Sequence, residues 1–250
     1  MKTILLATDF STAAFNAANY ATDMALTINA TMRLLHVCSL PVSYGEIPSE
    51  LNTDDLQRDA EKNIENLKTE LTRRSSGKLT IETEVRTGIF FNELNAVCEQ
   101  IHPYAVVMGS QGTTAAERIL FGAHSTYAMK HLNWPLITVP IGATFSTIKK
   151  IGLACDFDHV TETIPVDEIK MLINDTHAKL HVLNTGKENA FSPELIFESG
   201  MLQAMLTDLS PDYHFISSEN VEEGIISFAE KNQIDLLLVV PKQHRMFYRF

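Results

Sequence analysis

Three glycines and the residues after the last of them form the pattern with the most chemical content in this chain. Gly109, Gly112 and Gly122 follow the apolar run Ala105-Val106-Val107-Met108 in the spacing G-x2-G-x9-G, with Ala123-His124-Ser125 directly behind. A buried strand that ends in glycine lets the backbone turn with positive φ, and it lets a ligand reach peptide N–H groups with no Cβ in the way. Phosphate is the usual guest of such a turn. The stretch His124-Ser125-Thr126-Tyr127-Ala128-Met129-Lys130 reads as a helix start, whose N-terminal N–H groups and dipole favour an anion. Neither a G-x-x-x-x-G-K loop nor a G-x-G-x-x-G after the first strand occurs. Glycines are also ordinary turn and cap residues, so the spacing alone does not choose between ligand and turn.

The elements that would position these residues follow from hydrophobic period. Short β-branched runs alternate with longer segments of helical period, which predicts an α/β fold with a parallel sheet covered by helices. The first half predicts strands at 2–7, 32–37, 79–85, 104–108 and 136–139. A helix from about Asp54 to Arg74 places Leu56, Ala60, Ile64, Leu67 and Leu71 on one face. Another carries Ala13, Ala17, Tyr20, Ala21 and Met24, with Ser11 as its N-cap.

The second half repeats the first. Lys2-Thr3-Ile4-Leu5-Leu6-Ala7-Thr8-Asp9-Phe10 sets over Lys149-Lys150-Ile151-Gly152-Leu153-Ala154-Cys155-Asp156-Phe157 with Lys, Ile, Leu, Ala, Asp and Phe in matching places. Leu35-His36-Val37 then answers to Leu180-His181-Val182, and Tyr104 to Met108 answers to Leu236 to Val240. The expected organisation is two tandem domains, 1–143 and 149–250, joined by the short polar segment Gly142 to Thr147. In this alignment Val240-Pro241-Lys242-Gln243-His244 stands where the first repeat has Met108-Gly109-Ser110-Gln111-Gly112. Proline removes an N–H donor and histidine crowds the turn, so no nucleotide is expected in the second domain. The second repeat is about one helix and one strand short: either the chain is truncated, or this domain is a four-strand remnant. An exposed fourth strand would need cover from the partner domain or another subunit. Met246, Phe247, Tyr248 and Phe250 would favour such docking.

The glycine run, closed by Trp134-Pro135-Leu136-Ile137-Thr138-Val139-Pro140, and the opening Ile4-Leu5-Leu6-Ala7-Thr8-Asp9-Phe10-Ser11 together resemble the universal stress protein family over residues 1–140. The resemblance implies a doubly wound sheet of strand order 3-2-1-4-5, a bound ATP, ADP or AMP with magnesium as its companion, and a homodimer or an intramolecular pseudo-dimer. Ligands of such sheets bind beyond the carboxyl ends of the strands where the winding reverses, here between strands 1 and 4. Carried over residue by residue, Asp9 with Thr8 beside it lies near the adenosine. A carboxylate suits ribose hydroxyls or an adenine amine, and equally suits backbone N–H groups of the strand-to-helix turn. Val37 packs on the adenine or fills the core. Met108 joins them at the end of strand 4. Gly109, Gly112 and Gly122 allow close backbone approach, and Ala123, His124 and Ser125 offer N–H groups. The family has Ser or Thr where this chain has Ala123. One charge-assisted hydrogen bond is therefore missing, worth about 1.5–3 kcal/mol or roughly ten- to hundredfold in affinity; Ser125 substitutes in part.

Charge and composition exclude other classes. A net charge of −11 and a pI near 5.2 argue against binding to nucleic acid or an anionic membrane. No apolar run approaches a membrane span and no signal-peptide core precedes Asp9, so a cytoplasmic protein is expected. Cys38, Cys98 and Cys155 are odd in number and lack a C-x-x-C, so neither a disulfide framework nor a zinc knuckle is expected. His177 and His181 are four apart, but a helix end and a strand start are predicted between them, which breaks the geometry of a metal pair. Without a G-x-S-x-G elbow or paired carboxylates the chain reads as a nucleotide-responsive binding module, not an enzyme. A nucleotide-free interaction scaffold and an enzyme of another class on the same sheet are the alternatives.

Overall fold

The computed structural model describes residues 2–38, 53–110, 127–128, 131–186 and 193–240. The chain divides into two compact units, Met1–Phe145 and Ser146–Phe250. In the first unit the order is β1 (Thr3–Ala7), α1 (Thr12–Thr27), β2 (Thr31–Cys38), α2 (Thr53–Arg74), β3 (Ile81–Thr87), α3 (Phe90–Ile101), β4 (Ala105–Ser110) and β5 (Leu136–Pro140). All pairs are parallel, in the order β3-β2-β1-β4-β5. This is the 3-2-1-4-5 winding that the family resemblance implies. The chain runs outward from β1 in both directions, so β1 and β4 flank the reversal. Ile4, Leu5 and Leu6 are fully buried, as a strand with neighbours on both edges and cover on both faces requires.

Ser11 caps α1 as expected, its hydroxyl accepting from the Ala14 amide at 3.2 Å. Ala13, Ala14, Ala17, Ala18, Ala21 and Ala25 form the buried side of α1, and their small side chains let it approach the sheet closely. On α2, Ala60, Ile64, Leu67 and Leu71 are buried, but Leu56 is 43% exposed. Residues 54–59 are all exposed, so the first turns of α2 overhang the sheet and the seam begins at Ala60. β3 begins two residues later than predicted. After α2, Ser76 and Gly77 take left-handed φ and Lys78 bonds back to Ser75, which uses up the residues before pairing starts. β4 runs on through Gly109 and Ser110 because β5 continues beside it, pairing Val139 and Pro140 with them. The predicted turn at Gly109 is therefore strand, and Gly109 has no left-handed φ.

The second unit contains β6 (Lys150–Ala154), α4 (Val160–Thr163), α5 (Val166–Thr176), β7 (Lys179–Gly186), α6 (Pro193–Met205), β8 (Asp212–Ser217), α7 (Val221–Asn232) and β9 (Leu236–Val239). Its parallel sheet has four strands among the described residues, ordered β8-β7-β6-β9. That is the winding of the first four strands of the first unit. Pro165 lies between α4 and α5, where its missing N–H and fixed φ end one helix and open the next. His177 caps α5 with left-handed φ and β7 starts at Lys179, so a helix end and a strand start do separate His177 from His181.

Strand pairing corrects the alignment between the units. Ala7 pairs Leu35 and Ala154 pairs Leu183, so Leu35-His36-Val37 answers to Leu183-Asn184-Thr185, three residues beyond Leu180-His181-Val182. Ile4 pairs Ala105 and Ile151 pairs Leu236, which sets Gly109 over Val240, not Pro241. Uniformly apolar strands slide past one another in an alignment without penalty; their register is set by the neighbour they bond. Among the described residues no helix is long and apolar enough to cross a membrane.

Candidate crevice at the carboxyl ends of three strands

The turn from β1 into α1 is built by its own side chains. The Phe10 amide donates to Thr8 Oγ1 at 3.0 Å and the Ser11 amide donates to Asp9 Oδ1 at 3.0 Å, with Phe10 between them at φ 61°. A non-glycine residue in the left-handed region is strained, and these two bonds hold it there. β2 braces the same turn. The Thr8 amide donates to Leu35 O at 2.9 Å, and His36 Nδ1 lies 2.8 Å from Thr8 O. A carbonyl only accepts, so His36 carries its proton on Nδ1. The His36 ring also stacks on Phe10, centroids 4.5 Å apart. Sequence reasoning used His36 only as a landmark; its place beside Thr8 becomes visible once β1 and β2 are in register.

Thr8 is buried, whereas Asp9 is exposed beside it. Partial burial raises the Asp9 pKa, but hydrogen bonds from Ser11 and from its own amide, with His36 nearby, outweigh that and leave the carboxyl below its ordinary value. Asp9 is thus a carboxylate at neutral pH, with one oxygen engaged by Ser11. Val37, at the end of β2, and Met108, near the end of β4, are buried, and both belong to one core cluster with Ala7, Leu35 and Val106 and with Leu94, Val97 and Cys98 of α3. The structure therefore brings Thr8, Asp9, Val37, Met108 and Gly109 together at the carboxyl ends of the adjacent strands β2, β1 and β4.

Gly109 has a structural reason that spacing does not reveal. A Cβ there would lie 2.5 Å from Ala13 O, 2.6 Å from Ala13 C and 2.8 Å from Ala14 N. Its missing side chain admits the backbone of the first turn of α1 against β4. Packing against α1 is thus by itself a reason for this glycine. Next to it, Ser110 is 2% exposed and its hydroxyl has no hydrogen-bond partner among the described residues. Gly112, Gly122, Ala123, His124 and Ser125 lie outside the described residues.

The second unit builds the same turn from different residues. Cys155 Sγ accepts from the Phe157 amide at 3.4 Å, Asp156 Oδ1 accepts from the Asp158 amide at 3.2 Å, and Phe157 has φ 54°. The Cys155 amide donates to Leu183 O at 2.9 Å, and Asn184 donates to Cys155 O at 2.9 Å in the role of His36. Thr8 and Asp9 are therefore turn residues first, and Asp9 brings an exposed carboxylate to the crevice as well. Among the described residues no group of three or more His, Cys, Asp or Glu side chains could hold a metal ion.

Comparison with known proteins gives one family. The universal stress protein family model matches residues 1–140. A universal stress protein of Methanocaldococcus jannaschii is 28% identical over 142 residues, covering 55% of this chain and 81% of that protein. The crystal structure of a universal stress protein from Archaeoglobus fulgidus aligns with a TM-score of 0.72 at 17% identity, over 94% of this chain and 85% of the other. A family protein from Arabidopsis thaliana, crystallised with AMP bound, aligns at 18% identity and a TM-score of 0.40 over 57% of this chain and 94% of its own.

Proposed function

The chain belongs to the universal stress protein family, and we propose that it is an adenine-nucleotide-binding regulatory module of the cytoplasm whose nucleotide site lies in the first unit alone. The observation that carries this reading is the convergence of Asp9, Val37 and Met108 where the winding of the first sheet reverses. That is where doubly wound sheets receive ligands. Asp9 would accept hydrogen bonds from ribose hydroxyls or the adenine amine. The base would lie against Val37 and Met108. The phosphates, with magnesium as their companion, would meet the N–H groups from Gly112 and from Gly122 to Ser125, which enter on the sequence motif. The chain would bind nucleotide as a signal and not turn it over as an enzyme, and would pair as a homodimer or as an internal pseudo-dimer.

The rival reading is a nucleotide-free scaffold, favoured by Ala123 in place of a hydroxyl residue and by the turn duties of Thr8 and Asp9. One experiment separates the two. Purified protein is denatured and the released small molecules identified by mass spectrometry, and thermal shift is measured with added ATP, ADP and AMP. Nucleotide binding predicts released adenine nucleotide or a rise in melting temperature. The scaffold predicts neither at millimolar ATP.

A further inference from the structure

The two sheets carry different chemistry at the same place. In the first unit Arg33 of β2 bonds Glu82 and lies 3.3 Å from Glu84 on β3, and Arg86 bridges Glu84 and Glu93 of α3. By strand register, Arg33, Glu82 and Glu84 answer to His181, Asp212 and His214.

His181 Nδ1 lies 3.0 Å from His214 Nε2, with ring centroids 5.2 Å apart and planes 29° from parallel. A bond between two imidazole nitrogens needs a single proton, one nitrogen donating and the other accepting. His181 Nε2 is buried without a hydrogen-bond partner among the described residues. The neutral pair therefore favours His181 donating through Nδ1, since a bare buried lone pair costs less than a stranded N–H. An added proton has two destinations. On His181 Nε2 it makes a buried donor with no acceptor. On His214 Nε2 it sets two N–H groups head to head, unless His181 moves its own proton to the same buried Nε2.

The surroundings do not offset this. Asp212 Oδ2 is 3.9 Å from His181 Nδ1, but Asp212 is half exposed and its other oxygen lies 3.1 Å from Lys179. Lys150 of β6 and Lys179 of β7 add positive charge near His181. From α7 the apolar Phe228 ring covers His214 at 4.7 Å, while Glu222, Glu223, Glu230 and Lys231 of that helix are exposed.

We propose that the His181–His214 pair is an acid-responsive latch between β7 and β8, closed while both rings are neutral and released when the pair takes up a proton. Burial, then His214 and the two lysines, pull the His181 pKa below the ordinary imidazole value against the opposing pull of Asp212. The sign follows: the pair's full contribution is present above the unfolded imidazole pKa of about 6.5 and is lost as pH falls from there through the lower folded value.

The test is hydrogen exchange of the full chain at about pH 7.5 and about pH 5.5, corrected for intrinsic rates, with β2 and β3 as internal reference. Protection of β7 and β8 is expected to drop about tenfold more than that of β2 and β3, and His214→Gln, which cannot gain the proton, is expected to remove the difference. Equal pH response in both sheets, or an undiminished drop in His214→Gln, overturns the proposal. Imidazole nitrogen resonances of the unaltered protein give a second reading that needs no variant. His181 should hold its proton on Nδ1 and titrate below the ordinary imidazole value of about 6.5; titration at or above that value contradicts the latch.

Discussion

The two units wind their sheets alike and bend the chain alike after the first strand, yet they part at the next contact. In the first, Gly109 lets the backbone of α1 lie against β4. In the second, Val240 occupies the matching position by register, and the helical segment after β6 is broken at Pro165 into α4 and α5. The shared turn shows that Thr8, Asp9, Cys155 and Asp156 answer a demand of the fold. The difference shows what the first unit has in addition: an uninterrupted, capped α1 seated against β4, and the glycine spacing that continues beyond it.

The largest effect that would sharpen this comparison is at Gly109. Gly109→Val sets a side chain against the Ala13 carbonyl, and backbone cannot yield as a flexible side chain can. A loss of about 3 kcal/mol or more of unfolding free energy in denaturant titration is expected, with the first unit's amides losing protection first. An unchanged midpoint would mean that α1 does not rest on β4. Because this variant unfolds the site, it is no probe of nucleotide contacts, and Gly122→Val serves there instead.

Next comes the missing hydroxyl. Ala123→Ser should tighten ATP binding by about tenfold or more in calorimetry, from one added charge-assisted hydrogen bond. Unaltered affinity would turn the comparison toward the scaffold reading. Smaller again is the cap. Ser11→Ala removes the side-chain bond to the Ala14 amide and should cost about 1 kcal/mol in the same denaturant assay. The matching helix of the second unit, α4, has no side-chain cap from His159 to lose; its Val160 amide is served by Glu198 at 2.8 Å. The smallest effect belongs to Ser110, whose buried hydroxyl makes no bond among the described residues. Ser110→Ala should leave the melting midpoint unchanged or slightly higher, because no hydrogen bond is broken and one desolvated polar group is removed.

The parallel sheet was legible because Ile4-Leu5-Leu6 and Val106-Val107 are apolar throughout, as strands covered on both faces must be, whereas its winding came from the family resemblance. Ser11 was legible because capping is local. Gly109 was noticed for a ligand, and its contact with a helix was hidden, since the atoms a Cβ would strike belong to Ala13 and Ala14, far away in sequence. His36, and the meeting of His181 with His214, were out of reach for the same reason: each is a contact between neighbouring strands, and a misplaced register of three residues set His181 against His36 when its counterpart is Arg33. Patterns of period find elements; contacts between elements need the pairing.

The claim that nucleotide belongs to the first unit alone is tested most directly by the stoichiometry of ATP binding in calorimetry, measured for the unaltered chain and for Gly122→Val. The account predicts one nucleotide per chain in the former and none in the latter. Two nucleotides per chain, binding that survives Gly122→Val, or no heat at millimolar ATP would contradict it.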